Sequence, residues 1–455
     1  MLRRLTSLVL LPAAALVGCT SDDTAGTDTA TSTGGSASTS TTSTSGGTSA
    51  GTSGGSSGSG SVSETGTGSS GTTSGGTTSG TTSGGPTSGT TSGDTSGSTA
   101  VTVTDCTSST TAAPQICAPA SKSCFDDSSY QVCDDDGLAW GAPVDCAENE
   151  GCYDGECLPL CELVKQEPSS VGCSFFANRM DNLYANQPDS LIVGNVSTSL
   201  TAKVQLYFVP NGMAAEQPVG APIDVPPSGT YTFTMDNAQI ESVTTLRKGG
   251  VYRVESSLPI VAYLHSPIGS QATNDASMLL PEHALTGNYI VSSYPGTFPT
   301  HYPSYFTAIA TEDGTTLNFL AGIATAGGGG VPALAKGQAT DVAMSRYDTL
   351  NVVVSVNYTD LSGTIISADK PVWVAGATEC GNVPMYPTTY CDHLEEVSIP
   401  LEYWGDTYVG AHAPQRGSET FYWRVYSGDD GVTISTSPQQ PGFPKMLNKG
   451  EYYQF

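Results

Sequence analysis

Between Thr31 and Thr99 all but six of 69 residues are Ser, Thr or Gly. No other feature constrains the chain as strongly. The exceptions, Ala37, Ala50, Val62, Glu64, Pro86 and Asp94, supply almost no apolar surface. A segment with so little to bury cannot offset a backbone ordering cost of about 1–2 kcal/mol per residue. Residues 19–103 therefore read as a disordered tether, and of 455 residues only those from 104 onward are left to fold. About 85 flexible residues have an r.m.s. reach of ~50 Å. The many hydroxyls are also compatible with mucin-like glycosylation.

The formal charge is −27, and no Lys or Arg occurs between Arg4 and Lys122. From 104 onward 38 acids face 14 bases, a net of −24. Such a surface repels phosphate backbones and argues against nucleic acid as a partner. A solvated acidic exterior, a basic partner or a divalent cation fits the charge.

The N-terminus reads as an export signal. Arg3 and Arg4 precede a short apolar run from Leu5 to Val17, too short to span a bilayer comfortably. The run ends in Leu16-Val17-Gly18-Cys19, which resembles the bacterial lipoprotein box. That resemblance implies a signal peptide over 1–18, acylation of Cys19 and attachment to a membrane through lipid. Thr20 after the Cys, rather than Asp, implies the outer membrane by the same resemblance. No later run of 18 apolar residues offers another span.

Of the twelve Cys, nine fall between Cys106 and Cys173. Cys117, Cys124, Cys133, Cys146, Cys152 and Cys157 are spaced like a disulfide framework, expected for a small exported module over 104–173 that lacks a core of its own. Six Cys allow 15 connectivities, and spacing does not select one. Cys161 and Cys173 flank a short polar connector and are candidates to clamp the module to the region C-terminal to it, with Cys106 then left over or displacing one of them. Zinc is disfavoured because there is no C-x2-C pair and none of the five His (His265, His283, His301, His393, His412) lies here.

From about Val171 the pattern becomes all-β. Alternating or β-branched runs recur at 202–209, 229–235, 251–254, 260–264, 306–311, 350–356, 372–375 and 421–426. Gly, Pro, Asn and Asp punctuate them, and no 3.6-residue apolar period is sustained. The expectation for 174–455 is repeated β units, sandwich or propeller-like. An internal repeat supports this. Leu258 to Ala262 matches Lys370 to Val374, Leu280-Pro281 matches Ile399-Pro400, Tyr289 to Val291 matches Tyr408 to Gly410, and Phe306 to Leu317 matches Trp423 to Ile434. Leu-x-Lys-Gly occurs at 246–249, 334–337 and 447–450. Its last copy, followed by Tyr452 to Phe455, reads as a strand entering a sheet, as if the sequence stopped inside a unit.

Leu361-Ser362-Gly363-Thr364-Ile365-Ile366-Ser367-Ala368-Asp369-Lys370-Pro371-Val372 resembles a signature of the IgG Fc-binding protein N-terminal domain family. Cys380, Cys391-Asp392-His393-Leu394, Ile399-Pro400 and Trp404 to Val409 continue the likeness. It runs from about Ser190 to the C-terminus. The resemblance implies an extracellular β domain with a binding or adhesive role, and supplies no catalytic residues and no evidence that IgG itself is bound.

Constellations for chemistry are sparse. His393-Leu394-Glu395-Glu396-Val397 lacks the second His of a zinc-protease helix. Cys391-Asp392-His393 suggests a thiol and base, but adjacent side chains rarely face each other and an oxidised Cys is no nucleophile. A Cys380–Cys391 disulfide is expected instead, closing a loop that contains Gly381, Pro384 and Pro387. Glu312-Asp313-Gly314, Asp429-Asp430-Gly431 and Asp134 to Gly137 could ligate Ca²⁺, although Asp-Gly is by itself a hairpin signal. No other cofactor is expected. Trp404, Tyr408, Tyr422 and Trp423 are aromatic candidates for a ligand face, most of them expected to be core. The sequence thus points to a lipid-anchored surface protein that binds a protein or glycan. The alternative is a carboxylate-dependent hydrolase, which requires two facing acids in a pocket.

Overall fold

A computed structural model describes residues 8–12 and 114–455, apart from 185, 238–242, 270–272, 298–301, 413, 415–416 and 419. Cys19, the tether and Cys106 lie outside the described residues. Within the stretch that reads as an export signal, Leu8–Pro12 is a strand antiparallel to Trp423–Ser427.

The Cys-rich segment is a set of short hairpins with little core of its own. Lys122–Asp126, Ser129–Val132 and Val144–Asp145 form one sheet, and Glu150–Tyr153 pairs with Glu156–Pro159. Four disulfides hold it: Cys117–Cys133, Cys124–Cys152, Cys146–Cys157 and Cys161–Cys173, with Cα atoms 5.5–6.0 Å apart. The last joins the one-turn helix Leu160–Leu163 to the strand Gly172–Ala177, which belongs to a large sheet built mostly from residues beyond the module. Cross-links take the place of an apolar interior here.

That large sheet is organised by one 16-residue strand, Val251–Ser266. Ala202–Val209, Asp189–Asn195, Gly172–Ala177 and Asp275–Met278 all pair with it antiparallel. A second sheet has the order Thr245–Lys248, Asp348–Val353, Ser304–Ala310, Val372–Gly381, Asp392–Val397. A third has the order Asn288–Ile290, Ile365–Ala368, Thr315–Leu320, Ala339–Met344.

The second sheet is the middle layer. Successive side chains of a strand point to opposite faces. Tyr305, Ile309, Trp373, Ala375 and Ala377 enter the core shared with the first sheet, and Phe306, Ala308, Ala310, Val372 and Val374 enter the core shared with the third. Every residue of Ser304–Ala310 and Val372–Gly381 is accordingly buried. Both faces must be apolar or small, which explains why these runs lack alternation. The architecture is the sandwich alternative of the sequence reading, extended to three stacked layers.

The repeat seen in sequence recurs as topology. Pro281 and Pro400 each precede a 3-10 turn, Glu282–Ala284 and Leu401–Tyr403. Ser304–Ala310 pairs with Asp348–Val353 and encloses the hairpin of Thr315–Leu320 with Ala339–Met344. In the same way Trp423–Ser427 pairs with Tyr452–Gln454 and encloses Val432–Ile434 with Lys445–Leu447. The Leu-x-Lys-Gly copies are not equivalent. Those at 246–249 and 447–450 turn into strands that close back on an earlier outer strand, whereas 334–337 turns into the inner strand Ala339–Met344. Among the described residues no helix is long and apolar enough to cross a membrane.

Candidate functional site

The nested hairpins of the two repeats meet along a cleft of about 730 Å³. One wall comes from Leu320 to Ile323 and the turn at Lys336-Gly337, the other from Lys445 to Leu447 and Lys449 to Tyr453, and Tyr358 to Asp360 closes one side. Its floor needs glycine. Gly363 has φ +84°, and a β-carbon there would run into the Gly450 carbonyl, while Gly450 itself has φ +80°. Two turns from different repeats can touch backbone to backbone only because neither carries a side chain.

Three of the fourteen basic residues after residue 104, Lys336, Lys445 and Lys449, border this one cleft. None of the three takes part in an ion pair among the described residues. Lys336 and Lys449 are exposed, and Lys445 lies over the Tyr453 ring at 4.8 Å. The two carboxylates of the lining are committed elsewhere. Asp360 pairs with buried Arg424 at 3.0 Å, and Glu451 accepts from the Asn448 backbone N–H at 2.8 Å.

Tyr358, half exposed at φ +56°, stacks on Tyr386 with ring centroids 5.3 Å apart. Tyr386 sits in the loop closed by Cys380–Cys391, whose Cα atoms are 5.1 Å apart. The same loop exposes Met385 and Tyr390, the latter 80% exposed at φ +63°. Left-handed backbone at an exposed aromatic is strained and calls for a functional reason. The disulfide loop, Tyr358 and Tyr452 thus make an aromatic rim continuous with the lysine-lined cleft.

The acids with raised pKa lie away from the cleft, where the first and second sheets meet edge to edge. Side chains of one edge bond to backbone N–H groups of the other in a two-residue rhythm. Thr273 Oγ1 accepts from His393 N, Asp275 Oδ2 from Glu395 N and Ser277 Oγ from Val397 N. Burial pushes Glu395 well above the usual carboxylate range, reinforced by Asp275, Asp189 and Glu396. Burial and then Asp275 push Glu396 up to about 8 although part of its surface stays open, while Ser277 opposes the shift. Asp189 is raised to about 6 by burial against hydrogen bonds from Ser266 and Met180 N. His393, fully buried 3.3 Å from Glu395, is lowered by the same desolvation. None of these groups lines the cleft, and no observation favours the hydrolase alternative. Nor is Asp392–Val397 a metal helix one His short, because it is a strand.

The other sequence candidates fall as follows. Trp404 is core, Tyr408 packs against it, and Tyr422 and Trp423 are half-buried. The exposed aromatics in and beside the cleft are instead Tyr358, Tyr386, Tyr390 and Tyr452, which sequence reasoning misses because each stands in a loop or at a strand edge with no alternation to mark it. The acidic turns spend their side chains locally. Asp134 Oδ1 accepts from Leu138 N, Asp313 Oδ1 from Arg346 N and Asp430 Oδ1 from Lys449 N. Among the described residues no group of three His, Cys, Asp or Glu is placed to hold a metal ion.

Comparison with known proteins covers the part of the chain that builds this cleft. Over 151 residues, 33% of this chain, the sequence is 30% identical to the human (Homo sapiens) protein named IgGFc-binding protein. The chain spans only 2% of that protein's length. No solved structure matches. The likeness expected from about Ser190 begins further on, at Asp275. Residues 275–455, which hold the middle sheet's central strands, both nested hairpins and the whole cleft lining, match the family described as IgGFc binding protein.

Proposed function

We propose that this chain is an exported, lipid-anchored surface protein that binds or adheres to a macromolecular partner through the cleft between its two nested hairpins. In this reading 1–18 is a signal peptide and Cys19 the lipidated residue that holds the chain at the outer membrane. Residues 19–103 are the tether, 104–173 the disulfide module, and 174–455 the binding region. One observation carries the reading: an open cleft rimmed by exposed tyrosines, two of them in left-handed backbone, within the segment that matches a family named for binding. Convergent polar groups with aromatic surface in a cleft of this size are the usual form of a ligand site. The partner of the human relative, by its name the Fc part of IgG, is one candidate protein ligand.

The test immobilises the mature chain and measures binding to cell-surface extracts, mucin-like material and Fc fragments. Tyr358→Ala with Tyr452→Ala should reduce capture by at least about tenfold, as expected for aromatic anchors. Undiminished capture by that folded variant would place binding elsewhere. Mass spectrometry of the membrane-extracted protein should find an acylated N-terminal Cys19, and a mature chain beginning at another residue would remove the anchor from this reading.

A further inference from the structure

Resting on the cleft as the ligand site, we infer that its ligand is an acidic polysaccharide, a sugar chain carrying sulfate or carboxylate groups. The chain as a whole is strongly acidic at −27, so three lysines that form no ion pair among the described residues, gathered around one cleft, run against its overall field. Elsewhere the structure uses cations differently. Lys122, Lys165, Lys203, Arg253, Arg346 and Arg424 pair with carboxylates. Although Lys248 and Lys370 form no ion pair among the described residues either, they stand apart from one another, whereas the cleft gathers three such lysines. An ammonium kept free of carboxylates at a cleft wall is available to an anion brought from outside.

The three Leu-x-Lys-Gly turns supply an internal comparison. Lys336 and Lys449, from the copies at 334–337 and 447–450, reach the cleft, whereas Lys248, from the copy at 246–249, does not. The motif places a lysine on a turn; the nested packing of two repeats brings two of them, with Lys445, around one opening.

A sugar chain fits better than an acidic peptide. The volume of about 730 Å³ is one continuous cleft in which hydroxyls, glycine backbone and phenol rings are interspersed with apolar side chains such as Leu320, Ile323 and Met446, a mixed lining that suits the alternating polar and apolar faces of sugar rings. The exposed ring of Tyr358, with Tyr386 stacked behind it, offers a planar surface against which the apolar face of a sugar ring lies, and Tyr452, whose ring also packs on Arg424 and Tyr426, adds a phenol to the lining.

The experiment uses the full mature chain and four polymers: heparin, polygalacturonate, neutral dextran and poly-glutamate. Heparin or polygalacturonate should bind. Lys336→Gln/Lys445→Gln/Lys449→Gln should weaken that binding at least about tenfold and flatten its dependence on salt. Lys248→Gln should change neither. Equal binding of dextran, untouched by the triple variant, would overturn the anionic class while leaving the cleft as a ligand site. Binding of poly-glutamate alone would replace the polysaccharide with an acidic peptide. If no polymer binds but surface material is still captured and lost on Tyr358→Ala, the inference fails and the cleft reading survives. If the tyrosine variant also captures normally, both fail.

Discussion

Arg424 is held between two rings, 4.1 Å from the Tyr294 centroid and 4.9 Å from that of Tyr452. Its Nη1 donates to Asp360 at 3.0 Å and to the Ser293 carbonyl at 2.7 Å, and its Nε donates to Gln454 at 2.9 Å. Both charged side chains are at least 94% buried. Removing one partner of such a pair leaves an uncompensated charge, so Asp360→Asn should cost about 3–5 kcal/mol. Denaturant unfolding of the mature chain measures this, and a loss under about 1 kcal/mol would mean that the pair is solvated. Asp360 and Tyr452 also line the cleft, so the variant should weaken ligand capture beyond its effect on folding. Little of this is legible in the sequence. Asp360 stands just before the signature segment and Arg424 inside an expected strand, 64 residues apart. Periodicity says which side of a strand a residue takes, not which distant charge it meets.

Among elements, the seam between Asp275–Met278 and Asp392–Val397 ties charge to pH. The carboxyls facing it are Asp189, Asp275, Asp392, Glu395 and Glu396, with His393 among them. Glu395 and Glu396 have folded pKa values raised above their unfolded ones, so the stability they contribute is complete in acid and lost as pH rises. His393 is depressed and works the other way, but only below about 6.5. The unobscured window is therefore pH 7 to 9, across the Glu396 value of about 8. Stability should fall there by on the order of 1–2 kcal/mol. Glu396→Gln should flatten the fall, and a wild-type curve that is level or rising would show that these carboxyls stay ionised. A second test is geometric. Asp275→Ala removes the acceptor for Glu395 N, leaving a buried N–H unmade at about 1–3 kcal/mol.

The strands on either side show where sequence reading succeeds. Ala202–Val209 alternates and is legible to the residue. Val251–Ser266 reads as two runs because Ser256, Ser257 and Pro259 interrupt it, and the strand continues through them with a shift of register between Glu255 and Ile260. Asp392–Val397 does not read as a strand at all, since its buried Glu395 and His393 are residue types that pattern reasoning assigns to solvent.

For the whole molecule, the all-β class and the repeat are legible because turn residues and β-branched runs recur, with matched segments 112 to 119 residues apart. The third layer is not, because a middle sheet is known only from what covers it. Disulfide connectivity is likewise beyond spacing, since pairing depends on which hairpins cross. Non-reducing peptide mapping should recover Cys117 with Cys133, Cys124 with Cys152, Cys146 with Cys157, Cys161 with Cys173 and Cys380 with Cys391. Any other partner for these ten would refute the connectivity. Cys161→Ala with Cys173→Ala should cost about 2–4 kcal/mol in the chain-entropy picture.

The four cross-links of the N-terminal module also govern how the chain carries load. In the proposed reading, with the chain held at Cys19 and gripped at its cleft, the pull would run along its length. Between Cys117 and Cys173 a reduced chain could lengthen to about 3.3–3.6 Å per residue. With the disulfides closed, tension passes from sulfur to sulfur, and the overlapping loops of Cys117–Cys133, Cys124–Cys152 and Cys146–Cys157 are taken out of the path. The segment then extends to roughly a third of that contour. Under force it behaves as a short, nearly inextensible strap, and beyond it Cys161–Cys173 delivers the pull to Gly172–Ala177, a strand sutured to the longest strand of the first sheet.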